Sequence, residues 1–217
     1  MDKRTLIARR VAREFKDGDV VNLGIGIPTL VADYLPVGLN ILLHSENGFI
    51  GLGPAEGADD PHLTNAGANM VTIRPDGAVF DSAMSFTIVR GGHLSATVLG
   101  ALEVDEQGNL ANWAIPERNI VPGMGGAMDL VIGAKRVIVA MEHTGKDGTP
   151  KIVKNCTLPL TAKGEVDLIV TNLGVFKVTP QGLLLTEIAP NITLEDIRTS
   201  TAADYTVSPQ LKEMLAD

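Results

Sequence analysis

Cysteine is almost missing from this chain. Cys156 is the only one among 217 residues, which excludes an intrachain disulfide framework and predicts a reducing compartment. Histidine is scarce too, and the four histidines fall at no metal-ligand spacing, so no metal centre is predicted. Lys135-Arg136 interrupts the longest apolar run well short of a membrane span. The amino terminus, Met1-Asp2-Lys3-Arg4-Thr5-Leu6, is charged and lacks an apolar signal core, so a cytoplasmic protein without a membrane partner is expected. Positive charge is also in deficit. A net charge of −8 argues against nucleic acid or an anionic membrane as the main partner, so an anionic ligand must be held by local dipoles or a few placed bases. Aromatic residues are 4% of the chain, and there is no Walker loop. What is present is ordinary for a globular protein: 45% hydrophobic and 20% charged residues, with no repeat or linker to divide residues 1–217 into more than one domain.

Glycine is the exception, at 23 residues, and it marks tight turns and places where backbone approaches something closely. The most informative stretch is Leu43-His44-Ser45-Glu46-Asn47-Gly48. An apolar run of strand length, Leu39 to Leu43, gives way to an Asn-Gly turn, and Glu46 stands at the junction. In an α/β protein the carboxyl end of a strand faces the crevice where ligands bind. Glu46 is therefore the candidate catalytic residue.

The order of elements supports that placement. Thr5 to Phe15 carries Leu6, Ile7, Val11 and Phe15 at helical spacing; Asp19 to Leu23 reads as a buried strand, Thr29 to Leu35 as a helix stopped by Pro36, and Asn40 to His44 as a strand. That is a βαβ unit with a right-handed crossover. Further on, Met70–Arg74 and Ala78–Phe80 around Pro75-Asp76-Gly77 predict a hairpin. Ser82–Val89 and Met128–Ala134 predict helices, and Ser95–Val104, Arg136–Met141, Val166–Thr171, Val175–Val178 and Leu183–Glu187 predict strands. Thr193 opens a capped helix with Glu195 and Asp196 in its first turn, and Ser208-Pro209 predicts another helix. The fold class is α/β: an open, largely parallel sheet with flanking helices and added β-hairpins.

Two glycine loops are candidate ligand-binding segments. Gly24-Ile25-Gly26-Ile27-Pro28 lies between strand and helix, and Pro122-Gly123-Met124-Gly125-Gly126-Ala127-Met128-Asp129 precedes a helix; both offer backbone amides to an anion or oxyanion. A dinucleotide fingerprint competes for the first loop, since Glu46 follows it by about 20 residues as a ribose-binding acid would. Thr29 stands where the third glycine belongs, so the G-x-G-x-x-G pattern fails. Other polar residues point less far. Arg90-Gly91-Gly92-His93 reads as a helix C-cap; Glu142-His143 lacks ligand spacing; Cys156 reads as a small buried residue; Asp81, Ser82 and Ser85 have no histidine at a triad spacing.

These segments together resemble a known family. Val21-Asn22-Leu23-Gly24-Ile25-Gly26-Ile27-Pro28-Thr29, Ser45-Glu46-Asn47-Gly48, Ile88-Val89-Arg90-Gly91-Gly92-His93, Leu110-Ala111-Asn112-Trp113, Gly123-Met124-Gly125-Gly126-Ala127-Met128-Asp129-Leu130 and Cys156-Thr157-Leu158-Pro159-Leu160-Thr161 resemble the β subunit of class I 3-oxoacid CoA-transferases, and within them the bacterial acetate/butyrate–acetoacetate enzymes. The resemblance runs nearly end to end. It implies that Glu46 is the nucleophile and forms a glutamyl-CoA thioester. It implies that Gly24, Ile25, Gly26, Ile27, Pro28, Gly123, Met124, Gly125 and Gly126 line the coenzyme A site, with Gly126 beside the thioester. No tightly bound cofactor is implied, since coenzyme A is substrate and transient adduct. The implied partners are a separate α subunit, in a hetero-oligomer with two copies of each chain, acyl-CoA and short-chain carboxylic acids, met by an exposed apolar face. Acetoacetate with acetate or butyrate is the expected substrate pair. A succinyl-CoA:3-oxoacid transferase subunit is the alternative, and a dinucleotide-binding module lies further off. One departure is visible: relatives with lysine after Asn-Ala-Gly have a cation for the CoA phosphates, whereas Asn65-Ala66-Gly67 is followed here by Ala68.

Overall fold

A computed structural model describes residues 1–116, 121 and 123–215. The chain opens with helix α1 (Lys3–Ala12), whose N-cap Asp2 accepts hydrogen bonds from the amides of Arg4 and Thr5. Then come β1 (Val20–Leu23), a 3₁₀ helix (Pro28–Tyr34), β2 (Leu42–Ser45), β3 (Phe49–Leu52), β4 (Ile73–Val79) and α2 (Ser82–Arg90). The middle holds β5 (Ala96–Leu99), β6 (Glu103–Asp105), β7 (Leu110–Ala111), α3 (Ala127–Gly133), β8 (Val137–Ala140) and β9 (Ile152–Val153). The last part contains β10 (Leu168–Val170), β11 (Gly174–Thr179), β12 (Gly182–Ile188), α4 (Leu194–Ser200) and β13 (Tyr205–Glu213).

Ten of these strands form one sheet in the order β13-β12-β11-β10-β8-β5-β1-β2-β3-β4, with β7-β6-β9 as a small separate sheet. The five central strands, β10, β8, β5, β1 and β2, are parallel; β3 and β4 add antiparallel on one side, β11 and β12 on the other. Both faces of the centre are buried, which is why its strands read as continuous apolar runs. Along β8 the side chains alternate: Val137 and Val139 pack into one core with Val89, Leu130, Val131 and Ile197, on the side of α2, α3 and α4. Ile138 and Ala140 pack into the other with Ile7, Val11 and Phe15 of the amino-terminal helical segment and with Val31. The result is a three-layer α/β arrangement, as the order of strands and helices predicts.

Three local expectations fail, each for a physical reason. Residues 70–80 do not turn back on themselves at Pro75-Asp76-Gly77; Ile73–Val79 is one strand paired to β3. It is the sheet edge, where Pro75 needs no outward partner, and a bulge brings Gly51 against Gly77. Ser95–Val104 is not one strand. It leaves the large sheet after Leu99 and enters the small one at Glu103. Ser208-Pro209 starts no helix: the segment is β13, parallel to β12, and Pro209 sits where the register jumps between Val207 and Lys212. Thr29–Leu35 is helical, but as a 3₁₀ helix spanning Pro28–Tyr34. One strand in from the other sheet edge, β12 is tied to α1 by the buried Arg10, whose Nε and Nη2 donate to Glu187 at 2.5 and 2.8 Å.

Candidate active site

The turn after β2 is built so that every residue except Glu46 has a structural task. Ser45 Oγ donates to Asn47 Oδ1 at 2.6 Å and accepts from the Ala66 amide at 3.0 Å, while Asn47 Nδ2 donates to Thr64 O at 2.7 Å. Ser45 and Asn47 thus lace the 64–66 loop to the strand end. Gly48 has φ +137°, and a Cβ there would overlap Phe80 O, so only glycine lets the backbone entering α2 pass this close. Glu46 alone projects toward the helical layer.

There it meets the second glycine loop. Gly126 caps α3, and its backbone lies against the Glu46 carboxylate, where its amide favours the charged form. A Cβ on Gly126 would stand 2.9 Å from Glu46 Oε1, 3.0 Å from Glu46 Cδ and 3.0 Å from Phe86 Cζ. Gly123 and Gly125 take φ +94° and +55°, which turns the loop into that contact; Pro122, which opens the cluster in the sequence, lies outside the described residues. Burial pushes the Glu46 carboxyl up from its ordinary value, the Gly126 amide draws it back, and the charge of Asp129 raises it again. Asp129 is itself paired to Arg90 Nε at 2.7 Å, and the Arg90 guanidinium lies 5.8 Å from the Phe86 ring centroid. That pairing docks α3 on α2 and tempers the acid beside Glu46.

Beneath the turn runs a buried polar rung that the sequence did not announce. Thr97 Oγ1 donates to Asn22 Oδ1 at 3.4 Å, Asn22 Nδ2 approaches His44 Nδ1 at 3.4 Å, and His44 Nε2 lies 3.0 Å from Ser85 Oγ. The order fixes the tautomer: an amide donor at Nδ1 leaves the proton on Nε2, facing Ser85. Burial holds His44 at about 4, so it stays neutral. The sequence offered Ser85 no histidine, because the two lie 41 residues apart and meet only through the α2–β2 contact. They do not make a hydrolase triad: Ser85 is wholly buried, and an amide, not an acid, faces the other ring nitrogen.

The first glycine loop lies one strand over. Gly24 is a packing glycine, its amide bonded to Val98 O at 2.8 Å and its Cα side against Leu99, whereas Gly26, at φ +95°, faces open space. Thr29 Oγ1 closes the loop on Gly26 O at 2.6 Å, Pro28 is buried, and Ile25 is 72% exposed. A cavity of about 170 Å³ separates Ile25 and Thr29 from Ser45, Ala66 and Gly67. Among the described residues Asp33 is the one charged group in its lining, since His44 is neutral.

The remaining candidates are structural. His143 is buried between Thr171 Oγ1 and Thr201 Oγ1, each at 2.9 Å, and burial holds it at about 4. Among the described residues no group of three or more His, Cys, Asp or Glu is placed to hold a metal ion. Burial pushes the Cys156 thiol up to about 12, helped by the charges of Asp105 and Glu103, so it is no nucleophile. Asp81 caps α2, and Gly91 ends it. No helix of the described residues is long and apolar enough to cross a membrane.

The profile of the coenzyme A transferase family matches residues 4–200. The chain is 54% identical over 217 residues to the beta chain of the acetate CoA-transferase of Escherichia coli K12, covering the whole of both chains. It is 48% identical over 209 residues to one subunit of the probable succinyl-CoA:3-ketoacid coenzyme A transferase of Bacillus subtilis, covering 95% of this chain and 96% of that one. Among solved structures it superposes on the acyl-CoA transferase YdiF of E. coli O157:H7, in thioester complex with CoA, with a TM-score of 0.79 at 26% identity. That alignment covers 99% of this chain but 43% of YdiF, so the chain matches less than half of the longer protein.

Proposed function

This chain belongs to the coenzyme A transferase family, and from that premise we propose that it is a β subunit carrying the covalent chemistry on Glu46. The observation that bears the proposal is the Glu46 carboxylate set against the Gly126 backbone at the carboxyl edge of a parallel sheet. A partly buried carboxylate with a raised pKa is a better nucleophile than a solvated one, and it needs no general base. That agrees with a site whose histidine is buried and neutral.

Glu46 attacks the thioester carbonyl of the acyl-CoA. The tetrahedral intermediate expels CoA thiolate and leaves an acyl–glutamyl anhydride. The thiolate then attacks the glutamyl carbonyl, releasing the first carboxylate and leaving a glutamyl-CoA thioester. An acceptor carboxylate runs the two steps in reverse, so the thioester bond energy is conserved. When the glutamyl carbonyl becomes tetrahedral, its oxygen takes up negative charge on the atom that the Gly126 amide already faces; one such donor lowers the barrier by about 3 kcal/mol. The cavity of about 170 Å³ beside the turn is below the size of most ligand pockets, which suits a short acid such as acetate, butyrate or acetoacetate. Ile25 and Thr29 stand on its far wall, with the thioester arm of coenzyme A passing between the Gly24–Pro28 loop and Gly123–Gly126.

The relatives are named as single chains of multi-chain enzymes, which supplies the reason to expect an α partner. Met84, Met128 and Ile132 stand exposed on α2 and α3 and offer it an apolar contact close to Glu46. The test is the half-reaction. With acetoacetyl-CoA and no acceptor acid, the complex of this chain with its α subunit releases about one acetoacetate per Glu46; the Glu46→Gln complex releases none. Steady hydrolysis without a stoichiometric burst would overturn the reading.

A further inference from the structure

Two aspartates in this chain hold the same helical position and do opposite things. At the start of α4, Thr193 Oγ1 accepts from the Asp196 amide at 3.1 Å, and Asp196, third in the helix, accepts from the Thr193 amide at 2.8 Å. In α3 the N-cap is Gly126 and the third residue is Asp129, so the same reach would put Asp129 on the Gly126 amide. Asp129 Oδ1 accepts from Arg90 Nε at 2.7 Å instead.

The amide left open in this way is the one beside Glu46. The Gly126 backbone lies against the Glu46 carboxylate, and its amide favours the charged form. A capping box would commit that N–H to Asp129. It would also bring a second carboxylate closer to Glu46, whose charged form Asp129 already opposes from its present place.

Arg90 is held where it can prevent this. It ends α2, and its guanidinium lies 5.8 Å from the ring centroid of Phe86, one turn back. Phe86 in turn stands against Gly126, and Gly133 of α3 crosses α2 in backbone contact with Val89. The spacing of Arg90 and Asp129 is therefore set by the fold. Stability does not account for the pair, because its side chains are 67% and 30% exposed and such a bridge contributes little. Among the described residues Asp129 is the charged side chain that acts on Glu46. His44, on the strand leading into Glu46, is neutral, and Arg90 acts through Asp129.

We propose that Arg90 is a positioning residue: by holding Asp129 out of the capping box, it keeps the Gly126 N–H open to Glu46 and to the oxyanion that forms there. The assignment rests on the transferase reading, and the test separates the two. In the complex with the α subunit, kcat and KM are measured over a pH series for Arg90→Ala, Asp129→Ala and the double variant. Arg90→Ala lowers kcat about 10-fold, a fraction of what losing an oxyanion donor outright costs, with little change in KM. It moves the acid limb of the profile to higher pH, whereas Asp129→Ala moves that limb to lower pH. The double variant recovers most of the kcat lost in Arg90→Ala, and Arg90→Lys, which keeps the charge, loses less. If the pair only docks α3 on α2, both single variants lose alike and shift the limb the same way, and the double variant recovers nothing. That result overturns the proposal. Carbon NMR of the labelled Glu46 carboxyl, assigned with Glu46→Gln, reads the same two opposite shifts without turnover. A titration unmoved in both single variants overturns the proposal as well, whereas opposite shifts in a complex that transfers no coenzyme A overturn the transferase reading alone.

Discussion

Gly126→Ala is the sharpest steric probe of the site. Gly126 has φ −81° and ψ 1°, an allowed bridge-region conformation with no positive φ, so alanine needs no change of backbone region. The added Cβ, however, stands 2.9 Å from Glu46 Oε1 and 3.0 Å from both Glu46 Cδ and Phe86 Cζ. Restoring van der Waals distance requires a shift of about 0.5 Å in the carboxylate, which draws it away from the Gly126 N–H and tilts the nucleophile from its line of attack. Loss of a charge-assisted hydrogen bond of about 2 kcal/mol together with misalignment predicts a fall in kcat of about 100-fold. Replacing a glycine N-cap by alanine costs about 1 kcal/mol of stability, a Tm loss of about 3 °C in a chain of this size. The amide is also what pulls the Glu46 carboxyl down against burial. Without it the carboxyl titrates higher, and the acid limb of the pH–rate profile moves to higher pH. Steady-state kinetics over a pH series and a calorimetric melt, on the complex with the α subunit, read all three. Activity within threefold of wild type would refute the claim that Gly126 sets the nucleophile. A melt depressed by tens of degrees would show that the loss is one of folding.

Further outcomes follow from the same structure. His44 and His143 are held neutral, at about 4, by burial, whereas unfolded histidine titrates near 6.5. The unfolded chain therefore binds the extra protons, and stability falls as pH drops from 6.5 toward 4, by about 1.4 kcal/mol per pH unit for each histidine; urea melts across that window check it, and a flat profile contradicts it. Gly133 lies where α3 crosses α2, and a Cβ there would overlap Val89 O. Gly133→Ala should cost about 3 kcal/mol, measured by denaturant midpoint, and an unchanged midpoint would mean the helices sit further apart. Cys156, held at about 12, should resist a thiol reagent at pH 8 in the folded chain and react at once in denaturant. Rapid labelling of the native protein would contradict the raised thiol pKa of this half-buried cysteine.

Glu46 was legible because strand end, Asn-Gly turn and small neighbours are all local features of one segment. The Gly123–Gly126 loop was legible as a candidate for the same reason, although the contact between Gly126 and Glu46 exists only once α3 packs on α2. Non-local pairings left no such trace. Ser85, His44 and Asn22 belong to three elements, and neither spacing nor residue type links them. Two of the strand errors share one cause. Pro75 and Pro209 argue for a turn and a helix start by local rules, yet a sheet edge and a register jump both tolerate proline. The central parallel strands were read correctly because burial on both faces leaves uninterrupted Val, Ile and Leu runs, a signal that needs no partner to be seen.

The most direct test of the account is the mass of this chain, purified with its α subunit, after acetoacetyl-CoA and a rapid acid quench. The expected result is a gain of one coenzyme A less water, mapped to the peptide bearing Glu46, discharged by acetate and absent in Glu46→Gln. A complex that exchanges coenzyme A between acids without ever carrying that mass, or that carries it on Cys156, would contradict the central claim.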